Sequence, residues 1–141
     1  MTMSHAQRPE PPPPLRPEKR LDPEIFQLPV DRMRDGYYSD KYFVRARDVL
    51  IADGHSPTVT VQVFAKKFAW LGGIDEAIAI LKLCLTEGFR WEDLEVYALR
   101  DGDRVEPWTP VMTITGPYAA FAHLETLYLG VLARRTKVAT N

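Results

Sequence analysis

Two kinds of apolar repeat alternate along this chain, and together they leave few folds open. Val59-Thr60-Val61-Gln62-Val63 alternates apolar and polar residues, the period-two pattern of a strand with one buried face. After the break at Gly72-Gly73, Ile74, Ile78, Leu81 and Leu85 recur at i, i+4, i+7 and i+11. That spacing predicts an amphipathic helix, which Gly88 ends. Leu94–Leu99 and Val111–Thr115 read as two more strands, with Asp101-Gly102-Asp103 as a tight turn between them. A last helix follows, with Phe121, Leu124, Tyr128 and Leu132 as its apolar stripe. Pro117 stands at its first turn, where a missing N–H costs nothing. Upstream, Ser39 can cap a helix over 40–53 that presents Phe43, Ala46, Val49 and Leu50 and stops at Gly54. There is no internal repeat and no regular strand–helix–strand alternation, so the pattern predicts an α+β fold.

The 141 residues are 45% hydrophobic and 26% charged, enough for one domain. Residues 1–23 stand apart. Pro11–Pro14 are consecutive, and Pro9, Pro17 and Pro23 flank them. Each proline fixes φ and removes a donor, so the segment reads as a disordered leader or a ligand for a proline-recognition groove. The folded domain is then 24–141, with Ile25, Phe26, Leu28 and Val30 as an anchoring apolar segment. A net charge of -1 gives no general attraction to nucleic acid or an acidic membrane. No apolar run approaches the ~20 residues that span a bilayer, and Arg8 is not followed by the apolar region of a signal peptide. Cys84, inside an apolar run, reads as a buried thiol and has no second cysteine to pair with. A soluble protein of the reducing cytoplasm is expected.

Three groups of residues have chemical potential. Gly36-Tyr37-Tyr38-Ser39-Asp40-Lys41-Tyr42-Phe43 places four aromatic rings and a carboxylate around a helix start. Such an end favours anions, and tyrosine faces stack planar ligands. The same residues also serve as an ordinary cap and core. Glu125 lies on or beside the apolar stripe of the last helix, where a carboxylate must be paired or hydrogen-bonded. It is either functional or a fixed packing point. Arg134, Arg135 and Lys137 form a basic run that suits phosphate, or equally the solvated end of a helix. The histidines His5, His55 and His123 are scattered, so no metal-ligand spacing is present. No Gly-rich phosphate loop and no nucleophile–base pair is visible.

Taken jointly, SDKYF at 39–43, GIDEAIAIL at 73–81, DGDRVEPWTPVMTITGPY at 101–118 and HLETLYLGVLARRTKVATN at 123–141 resemble the N-terminal part of the nicotinate phosphoribosyltransferase family. The resemblance runs in order over about residues 25–141. The related quinolinate family carries Glu-Arg and then Leu-Asn on its last helix; here Glu125-Thr126 and Leu129-Gly130 look like the nicotinate branch.

The resemblance implies an N-terminal α/β sandwich domain, with the barrel domain absent. It implies NAD salvage, joining nicotinate to phosphoribosyl pyrophosphate with Mg2+ and ATP in the complete enzyme. It implies a homodimer in which this domain covers the partner's barrel, so a barrel domain or second chain is an expected partner. Tyr42 matches the tyrosine that stacks on the nicotinate ring, and Asp40 an acidic position near it. Arg45 and Lys137 are the cations offered, on charge alone, to the ligand's carboxylate or to phosphate. The family's phosphoribosyl-binding residues, its phosphorylatable histidine and its metal ligands follow the Ala-Thr-Asn point. A truncated or split enzyme, inactive alone, is therefore expected. A quinolinate-type domain and a free-standing, non-catalytic binding module are the alternatives.

Overall fold

A computed structural model describes residues 2–6, 20–37, 41–54 and 56–141, the side chains of residues 2–6 and Tyr42 excepted. The first strand is β1 (Thr2–Ala6) and the first two helices are α1 (Val30–Asp35) and α2 (Lys41–Asp53). Then come β2 (Thr58–Phe64), β3 (Ala69–Trp70), α3 (Ile74–Leu83), β4 (Glu95–Ala98), β5 (Arg104–Val105) and β6 (Pro110–Pro117). Helices α4 (Tyr118–Phe121) and α5 (Glu125–Thr140) end the chain, joined by one 3-10 turn at Ala122–Leu124. The predicted α+β class holds. A four-stranded antiparallel sheet in the order β1-β2-β6-β4 lies beside a two-stranded β3-β5 ribbon, and neither closes into a barrel.

Register explains the core. Val61 pairs with Ile114 and Val63 with Met112, while Val96 and Ala98 face the same two residues from β4. Directly paired residues share a sheet face, so these six line one side. Every one of them is buried. The same face joins α3 and the last helical segment in one apolar cluster that includes Ile74, Leu81, Phe121, Leu124, Tyr128 and Leu132. The opposite face carries Thr60, Gln62, Thr113 and Thr115, and the Thr60 and Thr115 hydroxyls meet at 2.9 Å.

Four features differ from the sequence expectation. Thr2–Ala6, inside the expected leader, pair antiparallel with β2. They satisfy the backbone groups that β2 would otherwise leave open at the sheet edge. Prolines 11–14 lie outside the described residues. In the anchoring segment, Ile25 is exposed, and the deep contact is Met33 on α1. Arg34 of that helix donates to the carbonyls of Leu83 (2.8 Å) and Leu85 (3.1 Å), the end of α3. A cation suits that helix terminus. On α2, Phe43, Ala46 and Leu50 are half-buried but Val49 is 66% exposed. The helix packs chiefly against α4 and the 122–124 turn. Finally, the single last helix is broken. Phe121 adopts φ -137, and a 3-10 turn separates α4 from α5. Pro117 closes β6 and caps α4 instead of lying within its first turn.

Candidate functional site

The last helical segment has a polar centre at each end. At its start, Glu125 is fully buried and accepts a hydrogen bond from the Tyr118 hydroxyl at 3.0 Å. Burial pushes its carboxyl up to about 7, and the Tyr118 bond draws it partly back. Tyr128, also fully buried, is held well above the ordinary tyrosine range by burial and by the neighbouring Glu125. His123 lies opposite, its Nε2 at 3.0 Å from the Cys84 carbonyl, and burial lowers it to about 4. Cys84 is pushed up to about 11 by burial, so its thiol stays protonated and is no nucleophile. This is a packing centre that joins α4, α5 and α3. Of the two readings of Glu125, the fixed packing point is the one its surroundings fit: it is fully buried and accepts from the Tyr118 hydroxyl.

At the other end, α5 divides the basic run. Arg134 and Arg135 border an apolar groove of about 370 Å³ floored by Met33, Ile80 and Val131. Arg135 reaches Glu76 at 3.6 Å. Thr136 points inward and is buried. Its Oγ1 accepts from the Gly72 N–H at 3.2 Å and donates to the Gly72 carbonyl at 3.1 Å. One turn later, Thr140 accepts from the Trp70 N–H at 3.0 Å and donates to the Trp70 carbonyl at 3.3 Å. Gly72 and Gly73 make that approach possible. A Cβ on Gly72 would lie 2.7 Å from the Arg135 carbonyl oxygen, and one on Gly73 3.0 Å from the Val131 oxygen. The Gly-Gly pair is thus a plate for α5, not a phosphate loop.

Lys137 faces a second groove, of about 480 Å³, together with Lys66, Lys67 and Phe68 from the turn between β2 and β3. The Phe68 ring meets Trp70 edge-on at 5.8 Å, and the Arg104 guanidinium lies 4.9 Å from the Phe68 ring centre. The sequence reading missed Lys66, Lys67 and Phe68. A Lys-Lys pair in a short turn is common, and the only signal was its place between a strand and a Gly-Gly break.

Of the other expected ligand residues, only Arg45 can be placed with its side chain. Ser39 and Asp40 lie outside the described residues, as does the Tyr42 side chain. Arg45 is exposed on α2, which packs over 118–124. Lys137 stands twelve residues beyond Glu125, roughly 18 Å along the helix at 1.5 Å per residue. Arg45 and Lys137 therefore belong to different ends of the domain. Among the described residues no group of three or more His, Cys, Asp or Glu side chains is placed to hold a metal ion. No helix among them is long and apolar enough to cross a membrane.

Known proteins resemble this chain in sequence and in shape. Nicotinate phosphoribosyltransferase 1 of Arabidopsis thaliana is 41% identical over 54 residues, which are 38% of this chain and 10% of that protein. The crystal structure of nicotinate-nucleotide pyrophosphorylase from Pyrococcus furiosus superposes with a TM-score of 0.60 at 27% identity. It covers 74% of this chain, and the match takes in 26% of that structure. The chain therefore spans a tenth of one relative and about a quarter of the other. A family model described as the N-terminal domain of quinolinate phosphoribosyl transferase matches residues 40–136, well over half of the sequence. The chain belongs to that family, the N-terminal domain of the quinolinate-type phosphoribosyltransferases.

Proposed function

We propose that this chain is the N-terminal domain of a nicotinate phosphoribosyltransferase, acting in pyridine nucleotide salvage in the cytoplasm. The observation that carries the choice of nicotinate is the 41% identity to the Arabidopsis nicotinate phosphoribosyltransferase. In this reading the domain contributes a covering surface and the barrel contributes the chemistry. Nicotinate and phosphoribosyl pyrophosphate meet at the junction between this domain and a barrel, in the same protein or in the second copy of a homodimer. Tyr42 stacks its electron-rich ring on the electron-poor pyridine. Asp40 stands near that ring, and Arg45 or Lys137 supplies the cation that a carboxylate or phosphate requires. Stabilisation of the developing ribosyl cation and of the departing pyrophosphate belongs to the barrel.

Mg2+ and ATP would act on the complete enzyme. Among the described residues no group of three or more His, Cys, Asp or Glu side chains is placed to hold a metal ion, so an all-protein cage for magnesium is not present among them.

The second reading is a quinolinate-type domain, and the family model over residues 40–136 favours it. The two readings separate on one carboxylate. Pyrophosphate release should be followed with phosphoribosyl pyrophosphate and either nicotinate or quinolinate, for the chain alone and for the chain joined to a barrel domain. Release with nicotinate and not quinolinate, and only in the joined protein, is the expected result. Preference for quinolinate would replace the first reading by the second.

A further inference from the structure

The groove between the β2–β3 turn and the end of α5 has a charge that the whole chain does not. Net charge is -1, yet the groove is lined by Lys66, Lys67 and Lys137 and by no acidic side chain; the one carboxylate among its lining residues is the terminal one of Asn141 in the 141-residue chain. The Glu106 carboxylate is paired with Arg104 at 3.4 Å and is not among the groove's lining residues. The end of α5 opposes an anion with the negative end of its dipole, about half an elementary charge. Three full positive charges exceed that half charge and the Asn141 terminal carboxylate together about twofold.

The geometry is also fixed. Thr136 and Thr140 bond both backbone groups of Gly72 and Trp70, which holds the last turns of α5 on the strand that follows the Lys-Lys turn. The other side of the turn is tied by the Trp108 N–H donating to the Ala65 carbonyl at 2.6 Å. Lys137 and the Lys66-Lys67 pair thus face one space from two braced elements. Phe68 adds an apolar wall to the same space.

We propose that this groove binds a condensed phosphate, with Lys66, Lys67 and Lys137 as its cations and Phe68 as a wall for a planar group attached to it. The site depends only on side chains of this chain. It stands apart from the choice of pyridine substrate.

The test is calorimetric titration of the 141-residue chain with sodium tripolyphosphate and, separately, with metal-free ATP. Saturable one-to-one binding is expected for both. Each of K137Q and the double variant K66Q/K67Q should weaken it about fivefold or more, the effect of one close charge in water. Added salt should weaken it further. All three lysines are exposed, and thermal unfolding should show the variants folded. ATP binding more tightly than tripolyphosphate, with the advantage lost in F68A, would identify a nucleoside polyphosphate as the ligand class. Equal binding would identify the inorganic phosphate chain. The proposal is overturned if neither compound saturates. It is also overturned if binding survives both lysine variants and is lost instead in R134Q/R135Q, whose side chains border the other groove.

Discussion

The Thr136 hydroxyl grips both the N–H and the carbonyl of Gly72, at 3.2 and 3.1 Å, and so closes a two-point joint between the last helix and the strand-to-helix turn 64 residues earlier. The joint works because Gly72 has no side chain. A Cβ there would sit 2.7 Å from a backbone oxygen of the helix it must touch.

Gly72→Ala is therefore expected to destabilise the fold by about 1–3 kcal/mol, the usual range for forced overpacking. Thr136→Val, which keeps the shape and removes the hydroxyl, should cost about 1–3 kcal/mol by leaving Gly72 groups unbonded. Urea unfolding of each single variant and of the double checks this. Because both act at one joint, the double variant should lose less than the sum. Simple additivity would show that the two residues do not work together.

The buried pair Glu125 and His123 should give opposite pH dependences. Glu125 titrates near 4.5 in the unfolded chain and about 7 in the fold. Between those values the folded chain holds the extra proton, so its contribution to stability falls as pH rises. His123 titrates near 6.5 unfolded and about 4 folded. There the unfolded chain holds the extra proton, so stability rises with pH. Each effect is on the order of 3 kcal/mol and the windows overlap, so they nearly cancel from about pH 4.5 to 6.5. Glu125→Gln should uncover a rise in stability with pH, and His123→Gln a fall. Chemical denaturation at a series of pH values reads this directly, and parallel curves for Glu125→Gln and the parent would refute it.

Asp101 should prove to be a helix cap. Its Oδ1 accepts from the Ile74 N–H at 2.7 Å and its Oδ2 from the Asp75 N–H at 3.3 Å. Gly73, at the ordinary cap position, has no side chain to do so. Asp101→Ala should cost about 0.5–2 kcal/mol, as loss of a local cap does, with Asp101→Asn recovering part of it. An alanine variant as stable as the parent would show that solvent replaces the carboxylate.

The substrate reading makes its own prediction. In the chain joined to a barrel, Tyr42→Ala should raise KM for nicotinate roughly tenfold or more, the upper range of a lost aromatic stack, and leave KM for phosphoribosyl pyrophosphate within about twofold. Steady-state kinetics with each substrate varied in turn decides it. Equal changes in both constants would remove Tyr42 from the ring-binding position.

How much of this could be read in advance follows from which interactions are local. The strands over 59–63 and 111–115 were legible because one sheet face is apolar and the other carries Thr60, Gln62, Thr113 and Thr115, which writes period two into the residues even though Thr60 and Thr113 are themselves buried. Helix α3 was legible because Ile74, Ile78 and Leu81 all reach the core; Leu85 is buried too, but the helix stops at Leu83, short of the Gly88 expected to end it. The break between α4 and α5 was hidden for a related reason. Phe121, Leu124, Tyr128 and Leu132 are all buried on either side of it, so the apolar stripe runs through the 3-10 turn without a gap. Val49 misled because apolar spacing marks a helix without saying which of its apolar residues a neighbour covers, and Val49 is left exposed. The Asp101 cap and the lysine groove could not be seen at all. Each depends on residues brought together from distant parts of the chain, and local spacing says nothing of those. In the candidate site only Lys137 and Arg45 could be placed, and they proved to be far apart.

The reach of Asp101 to the start of α3 also sets an order of events during synthesis. The helix spans Ile74–Leu83, but the carboxylate that satisfies its first amides is made 27 residues after Ile74. A nascent chain that ends before the β4–β5 turn holds α3 without its cap, and with no β6 to receive its apolar face. Helix and sheet should therefore consolidate together, late, once the Asp101-Gly102-Asp103 turn has left the ribosome.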